Sequence, residues 1–199
     1  MPAARTEAVS PPVAGPPVVG RAAAVWLDVL AEQAAWWGCV LLARSGQEGL
    51  AVAAPALYVA AHLATRTGRS RGLIALAAVA AAIGFAGDTA LVQAGFLGFP
   101  ESAGAAGWSR PWMAALWASF AVSTTLSLRW LARRPLVVVA ALGALAGPLA
   151  YAAGARLGAL TLSAWAPAAV CVEWLAAAPL LVVCARRLDA VPAAGAAPR

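Results

Sequence analysis

Glu32, Asp88 and Glu173 each stand inside a stretch that is otherwise apolar. A lone charge in hydrocarbon costs on the order of several kcal/mol. An acid kept at such a position either holds helices together through hydrogen bonds, or binds a substrate or passes protons. Gln33 beside Glu32, and Tyr151 on a glycine-lined face, complete a candidate intramembrane polar site of Glu32, Gln33, Asp88, Tyr151 and Glu173. Asp88 shares one side of its helix with Gly84 and Gly87. Small residues admit a second backbone there, so Asp88 is expected to face protein rather than lipid. Asp28, Glu32, Ala35 and Cys39 form one mixed stripe on the first helix. Gly143, Gly147, Tyr151, Gly154 and Gly158 run down the fifth and contain two G-x-x-x-G spacings, the mark of a packing surface. Pro148 and Pro179 free the carbonyls of Ala144 and Leu175, which become acceptors for nearby protonated carboxyls.

The remaining chemistry-bearing residues point away from known catalytic centres. No H-E-x-x-H, G-x-S-x-G or P-loop pattern occurs, and no acidic metal motif. The single histidine, His62, cannot form the axial pair of many membrane haem proteins, and it falls near a helix end, where an interfacial or internally bonded role is expected. Cys39, Cys171 and Cys184 lie in apolar segments without close pairing and read as small packed hydrophobes. No cofactor and no metal are therefore expected, and the chain leans away from being an enzyme.

Such residues need apolar elements to carry them. Hydrophobic types make up 63% of the 199 residues and charged types only 11%, with a mean hydropathy of +0.80. A soluble domain is nearer half apolar and a quarter charged, so this chain needs lipid as its solvent. Six spans follow from the apolar runs and breakers: 22–43, 49–65, 72–95, 111–131, 136–154 and 164–185. The second is the shortest. Residues 1–20 hold five prolines and read as a disordered tail, residues 21–188 as the six-helix membrane domain, and residues 189–199 as a short flexible tail. Asp28 and Glu32 argue against a cleaved signal peptide in the first span. Placing both termini and the connections 66–71 and 129–134 on one side collects eleven arginines there, against Arg44, Arg110 and Arg156 opposite. The positive-inside rule then makes both termini cytoplasmic. The net charge of +6 is thereby explained by topology, and no nucleic-acid partner is expected. Trp26 and Trp130 at inner ends, and Trp108, Trp112 and Trp165 at outer ones, read as interfacial anchors.

Five stretches in order, EQAAWWGCVL, GDTALVQAGFLGFP, LWASFAVSTTLSLRWL, GPLAYAAGARLGAL and VEWLAAAP, resemble a bacterial membrane family, domain-of-unknown-function family 2878. The likeness runs from about residue 28 to 179 and includes Gln33, Trp36, His62, Asp88, Tyr151 and Glu173. The resemblance implies a bacterial cytoplasmic-membrane protein without an established activity. Family members are often encoded near cyclopropane-fatty-acid-synthase-like methyltransferases, which implies membrane lipid as a partner, alongside lipid-modifying enzymes or other membrane proteins. Three functions stay open at this level. The first is assistance to membrane-lipid modification or envelope adaptation through the intramembrane polar site. The second is a small proton- or cation-coupled carrier, and the third a non-catalytic membrane assembly subunit.

Overall fold

The computed structural model describes residues 18–66, 70–100 and 107–188. Residues 1–17 and 189–199, which include most of the expected tails with Arg5 and Arg199, lie outside the described residues, as do Arg69 and residues 101–106. The elements are α1 (Val18–Arg44), α2 (Glu48–Ala51), α3 (Ala53–Thr65), α4 (Ser70–Gln93), β1 (Leu97–Gly98), α5 (Pro111–Ser123), a 3-10 helix (Arg129–Arg133), α6 (Leu136–Arg156), β2 (Thr161–Leu162) and α7 (Ala166–Arg187). Among the described residues five helical stretches are long and apolar enough to cross a membrane: Gly20–Arg44, Glu48–Thr65, Ser70–Gln93, Leu136–Arg156 and Ala166–Arg187. The chain is an all-α, multi-pass membrane protein, and its helix begins at Val18, inside the expected tail.

The second stretch contains a break with a covalent cause. Pro55 has no N–H to give the carbonyl of Ala51, so α2 and α3 divide at Val52. Val52 itself keeps right-handed helical angles, φ −64° and ψ −30°, and the two pieces follow one another closely. At the far ends of α4 and α6 the chain reverses through Gly95 (φ 75°) and Gly158 (φ 82°). Both take up the left-handed conformation that closes a helix while the next N–H reaches back five residues, Phe96 to Leu91 O at 2.9 Å and Ala159 to Gly154 O at 3.1 Å. Gly158 therefore ends its helix and does not continue the packing stripe. The two reversals feed β1 and β2, which pair antiparallel with Leu97 opposite Leu162 and Gly98 opposite Thr161.

The fourth expected span is the main correction. Residues 111–131 do not form one helix: α5 stops at Ser123, and turns lead to the 3-10 helix at Arg129. Thirteen residues of α-helix span roughly 20 Å, short of the ~30 Å hydrocarbon core. Consecutive hydroxyls account for the stop. Ser123 Oγ donates to Phe120 O at 2.7 Å, Thr124 Oγ1 to Ala121 O at 2.6 Å and Thr125 Oγ1 to Val122 O at 2.8 Å. These bonds compete with the helix ladder for its carbonyls. Irregular backbone at this depth is tolerated only where protein covers it, and α5 is covered. Trp112, Met113, Trp117, Ser119, Ala121, Val122 and Ser123 are all buried. Trp112, expected at an interface, is only 1% exposed and meets Phe99 edge-on. Trp26, Trp108, Trp130 and Trp165 are exposed.

Close helix approach rests on glycine. A Cβ on Gly143 would meet Ala178 Cβ at 2.6 Å and Trp174 O at 2.9 Å, and one on Gly147 would meet the Trp174 ring at 2.3 Å. These positions set α6 against α7. Gly84 does the same for α4 and α5, since a Cβ there would fall 2.0 Å from the Trp117 ring.

Candidate functional site

Asp88 is fully buried on α4, on the face that Gly84 and Gly87 open to neighbouring helices. Its Oδ2 accepts a hydrogen bond from Trp117 Nε1 of α5 at 3.0 Å. Its Oδ1 accepts a short one from the Tyr151 hydroxyl of α6. Glu173 of α7 stands across from Gly87, where a Cβ would meet its Oε1 at 2.1 Å. Both Glu173 carboxyl oxygens are buried, and among the described residues neither has a hydrogen-bond partner. A buried carboxyl without a donor is costly as an anion, so Glu173 is the least provided of the buried acids.

On the other side of Tyr151 and Trp117 lies a cavity of about 520 Å³, the size of a small-molecule site. One wall is α1 with Glu32, Gln33, Trp36 and Trp37, and the opposite wall is α6 with Ala146, Ala150 and Tyr151. The α5 side chains Trp112, Leu116, Trp117 and Phe120, together with Trp174 of α7, close it from behind. α1 packs on α3 and α5 whereas α6 packs on α7, which leaves the space between α1 and α6 as a groove. Trp117 and Trp174 stack with centroids 4.6 Å apart, and Phe120 meets Trp174 edge-on at 5.0 Å. Glu32 Oε1 accepts from Ser119 Oγ at 3.1 Å, while Glu32 Oε2 has no hydrogen-bond partner among the described residues. Gln33 and Trp37 are exposed along the same wall.

A third polar group gathers around Asp28, where α5 breaks. Asp28 Oδ1 accepts from the Tyr58 hydroxyl at 2.9 Å and lies 2.7 Å from His62 Nε2. Asp28 Oδ2 accepts from the backbone N–H of Ser127 at 2.9 Å. Arg66 Nη1 donates to Thr125 Oγ1 at 2.6 Å in the same unwound stretch. One carboxylate thus joins α1, α3 and the end of α5, and supplies an acceptor for an N–H that the broken helix no longer serves. Among the described residues, no three His, Cys, Asp or Glu side chains come together in a group able to hold a metal ion.

A family model described as protein of unknown function (DUF2878) matches residues 25–185. The chain belongs to this family. No curated protein and no solved structure matches it. The matched region of this DUF2878 member contains all three polar groups.

The five expected site residues therefore divide. Asp88 and Tyr151 are bonded to one another, with Glu173 close to Asp88 across Gly87. Glu32 and Gln33 belong to the groove. Tyr151 is the one that serves both, since it lines the groove and donates to Asp88. Reading the sequence missed Asp28, Ser119, Tyr58 and Trp117 as partners. Asp28 carried a signal, four residues before Glu32 in a stretch of apolar residues, and the Ser123–Thr124–Thr125 run marked the helix break it supports.

Proposed function

We propose that this DUF2878 member is a bacterial cytoplasmic-membrane protein that binds a membrane-dissolved amphiphile in the groove between α1 and α6, and so assists membrane-lipid modification or envelope adaptation. In this reading α5 and the 3-10 helix together make a fourth of six crossings, and both termini are cytoplasmic. Among the described residues Arg21, Arg66, Arg71, Arg129, Arg133, Arg134, Arg186 and Arg187 lie in or next to the terminal turns of helices at one end, against Arg44, Arg110 and Arg156 at the other, which supports that orientation. Reporter fusions after Arg71, Arg134 and Arg187 should read cytoplasm, and fusions after Gln47 and Gly158 periplasm.

The observation that carries the reading is a cavity of ligand size, walled by aromatics, that holds a carboxylate and an amide at the depth of the middle of α1. A site lying between two helices that do not pack together is reached sideways from the bilayer. A phospholipid with a mid-chain diazirine should cross-link to Gln33, Trp37, Ala146 and Ala150 in preference to the exposed Leu145 and Leu149. Ala150→Trp, which fills the groove, should abolish those cross-links in a protein that still folds. Equal labelling of both faces would refute the groove reading. Lipid profiling of a deletion strain against its parent would then connect binding to lipid modification, and identical profiles would remove that part of the proposal.

A second reading, a proton- or cation-coupled carrier, draws on Glu173. Its two oxygens without donors beside buried Asp88 are what a proton or small cation would satisfy. Loss of phenotype in a well-folded Glu173→Gln variant with intact groove cross-linking would favour it over the first.

A further inference from the structure

We infer that the groove selects a lipophilic organic cation, a positive charge spread over an apolar body. This assignment rests on the groove reading above and names the class of molecule it takes. Among the described residues Glu32 is the only acid of the lining, and none of the others there is Arg, Lys or His. Ser119 holds one Glu32 oxygen; the other is buried without a hydrogen-bond partner among the described residues, in a side chain that lines a ligand-sized cavity. A groove meant for an acyl chain has no use for that carboxyl group, which in its ionised form repels an anion and is compensated by a cation.

The aromatic residues agree with the charge. Trp36, Trp37, Trp112, Trp117 and Trp174 line the cavity, five of the nine tryptophans in the chain. Tryptophan faces attract cations most strongly among the side chains, and aromatic cages recognise quaternary ammonium ligands; Trp117 and Trp174 stack on one another, which leaves Trp36, one turn from Glu32, and Trp37 to offer theirs. Depth sets the other half of the class. Glu32 is the midpoint of Gly20–Arg44, so about 18 Å of helix separates it from either end. A zwitterionic headgroup does not reach that depth cheaply, and a small hydrated ion would have to shed its water for one carboxylate. A delocalised cation carrying its own apolar surface pays the least desolvation and fits about 520 Å³.

The test uses a series of equal shape and different charge. Purified protein in detergent is titrated with radiolabelled tetraphenylphosphonium, and tetraphenylsilane and tetraphenylborate are added as neutral and anionic competitors. Saturable phosphonium binding is expected, with the silane at least about tenfold weaker and the borate without effect. Glu32→Gln, which keeps the shape and the Ser119 contact, should weaken phosphonium binding by about tenfold or more at an unchanged melting temperature. Equal potency of phosphonium and silane on the unaltered protein, or a folded Glu32→Gln variant that binds the phosphonium normally, would overturn the charge assignment and leave the groove standing. Absence of binding by all three compounds would also overturn it. The diazirine cross-links then show whether the groove reading has fallen as well.

Discussion

Asp28 and Asp88 are both buried aspartates at helix contacts, yet their surroundings differ. Asp28 has three partners, Tyr58 and His62 from α3 and the Ser127 N–H from the broken backbone. Asp88 has two, Trp117 and Tyr151, and each of those side chains also forms the wall of a cavity. Beside Asp88 stands Glu173, with no partner among the described residues. A carboxylate with three partners, one of them a backbone N–H freed by a helix break, fixes a fold. One whose donors face a cavity, next to an acid with none, is coupled to whatever fills that cavity. On the proposed reading, Asp28 holds the fold together and the Asp88–Tyr151–Glu32 side serves the groove.

The strongest way to break this contrast is Asp28→Leu. It strands two side-chain partners and a backbone N–H in the interior and should cost roughly 3–5 kcal/mol. Melting in detergent should show the loss, with most of the protein aggregated at expression temperature. A melting point no lower than that of Asp88→Leu would remove the distinction between the two sites.

Next in size is Gly147→Leu, which drives a side chain into the Trp174 ring and should cost roughly 2–3 kcal/mol by overpacking. Because Trp174 also walls the groove, the fraction that folds should lose diazirine labelling at Ala150. Near-normal stability and labelling would show that α6 and α7 tolerate separation.

Asp88 gives a smaller and more informative effect. Asp88→Leu should destabilise by roughly 2 kcal/mol, since the Trp117 and Tyr151 donors are left unmatched, whereas Asp88→Asn keeps one acceptor and should lose only about 1 kcal/mol. If ionisation at Asp88 serves the carrier reading, the Asn variant folds and still loses the cellular phenotype. Full phenotype in that variant would make Asp88 a packing contact like Asp28. Thr125→Val is the mildest, removing one of the hydroxyls that end α5 together with the contact of Arg66, and should cost at most about 1 kcal/mol. A melting point lowered as far as in Asp28→Leu would mean that the break, and not Asp28, carries the stability of that end.

How much of this was legible in the chain depends on the range of the interaction. Apolar runs of about 20 residues and the arginine pattern are local properties, and hydropathy alone drew five of the helices close to their observed bounds. The same is true of the small residues: Gly84, Gly87, Gly143 and Gly147 stood on faces that the helix period predicts, and each meets a neighbouring helix. Hydropathy failed at α5 because Ser123, Thr124 and Thr125 are not polar enough to lower an apolar average, while their hydroxyls take the helix's own carbonyls. The cost of that break is met by Asp28, 99 residues away from Ser127 in the chain. No local rule connects two such positions. The same limit applies to the polar site. Sequence determined how far along its helix each acid lies and on which side, because both follow from a fixed rise and period. Only the tertiary packing decided that Asp88 meets Tyr151, that Glu32 meets Ser119 and that a groove lies between α1 and α6. Those pairings depend on which helices touch, and that is set by the fit of glycine faces against tryptophan rings rather than by anything a single helix encodes.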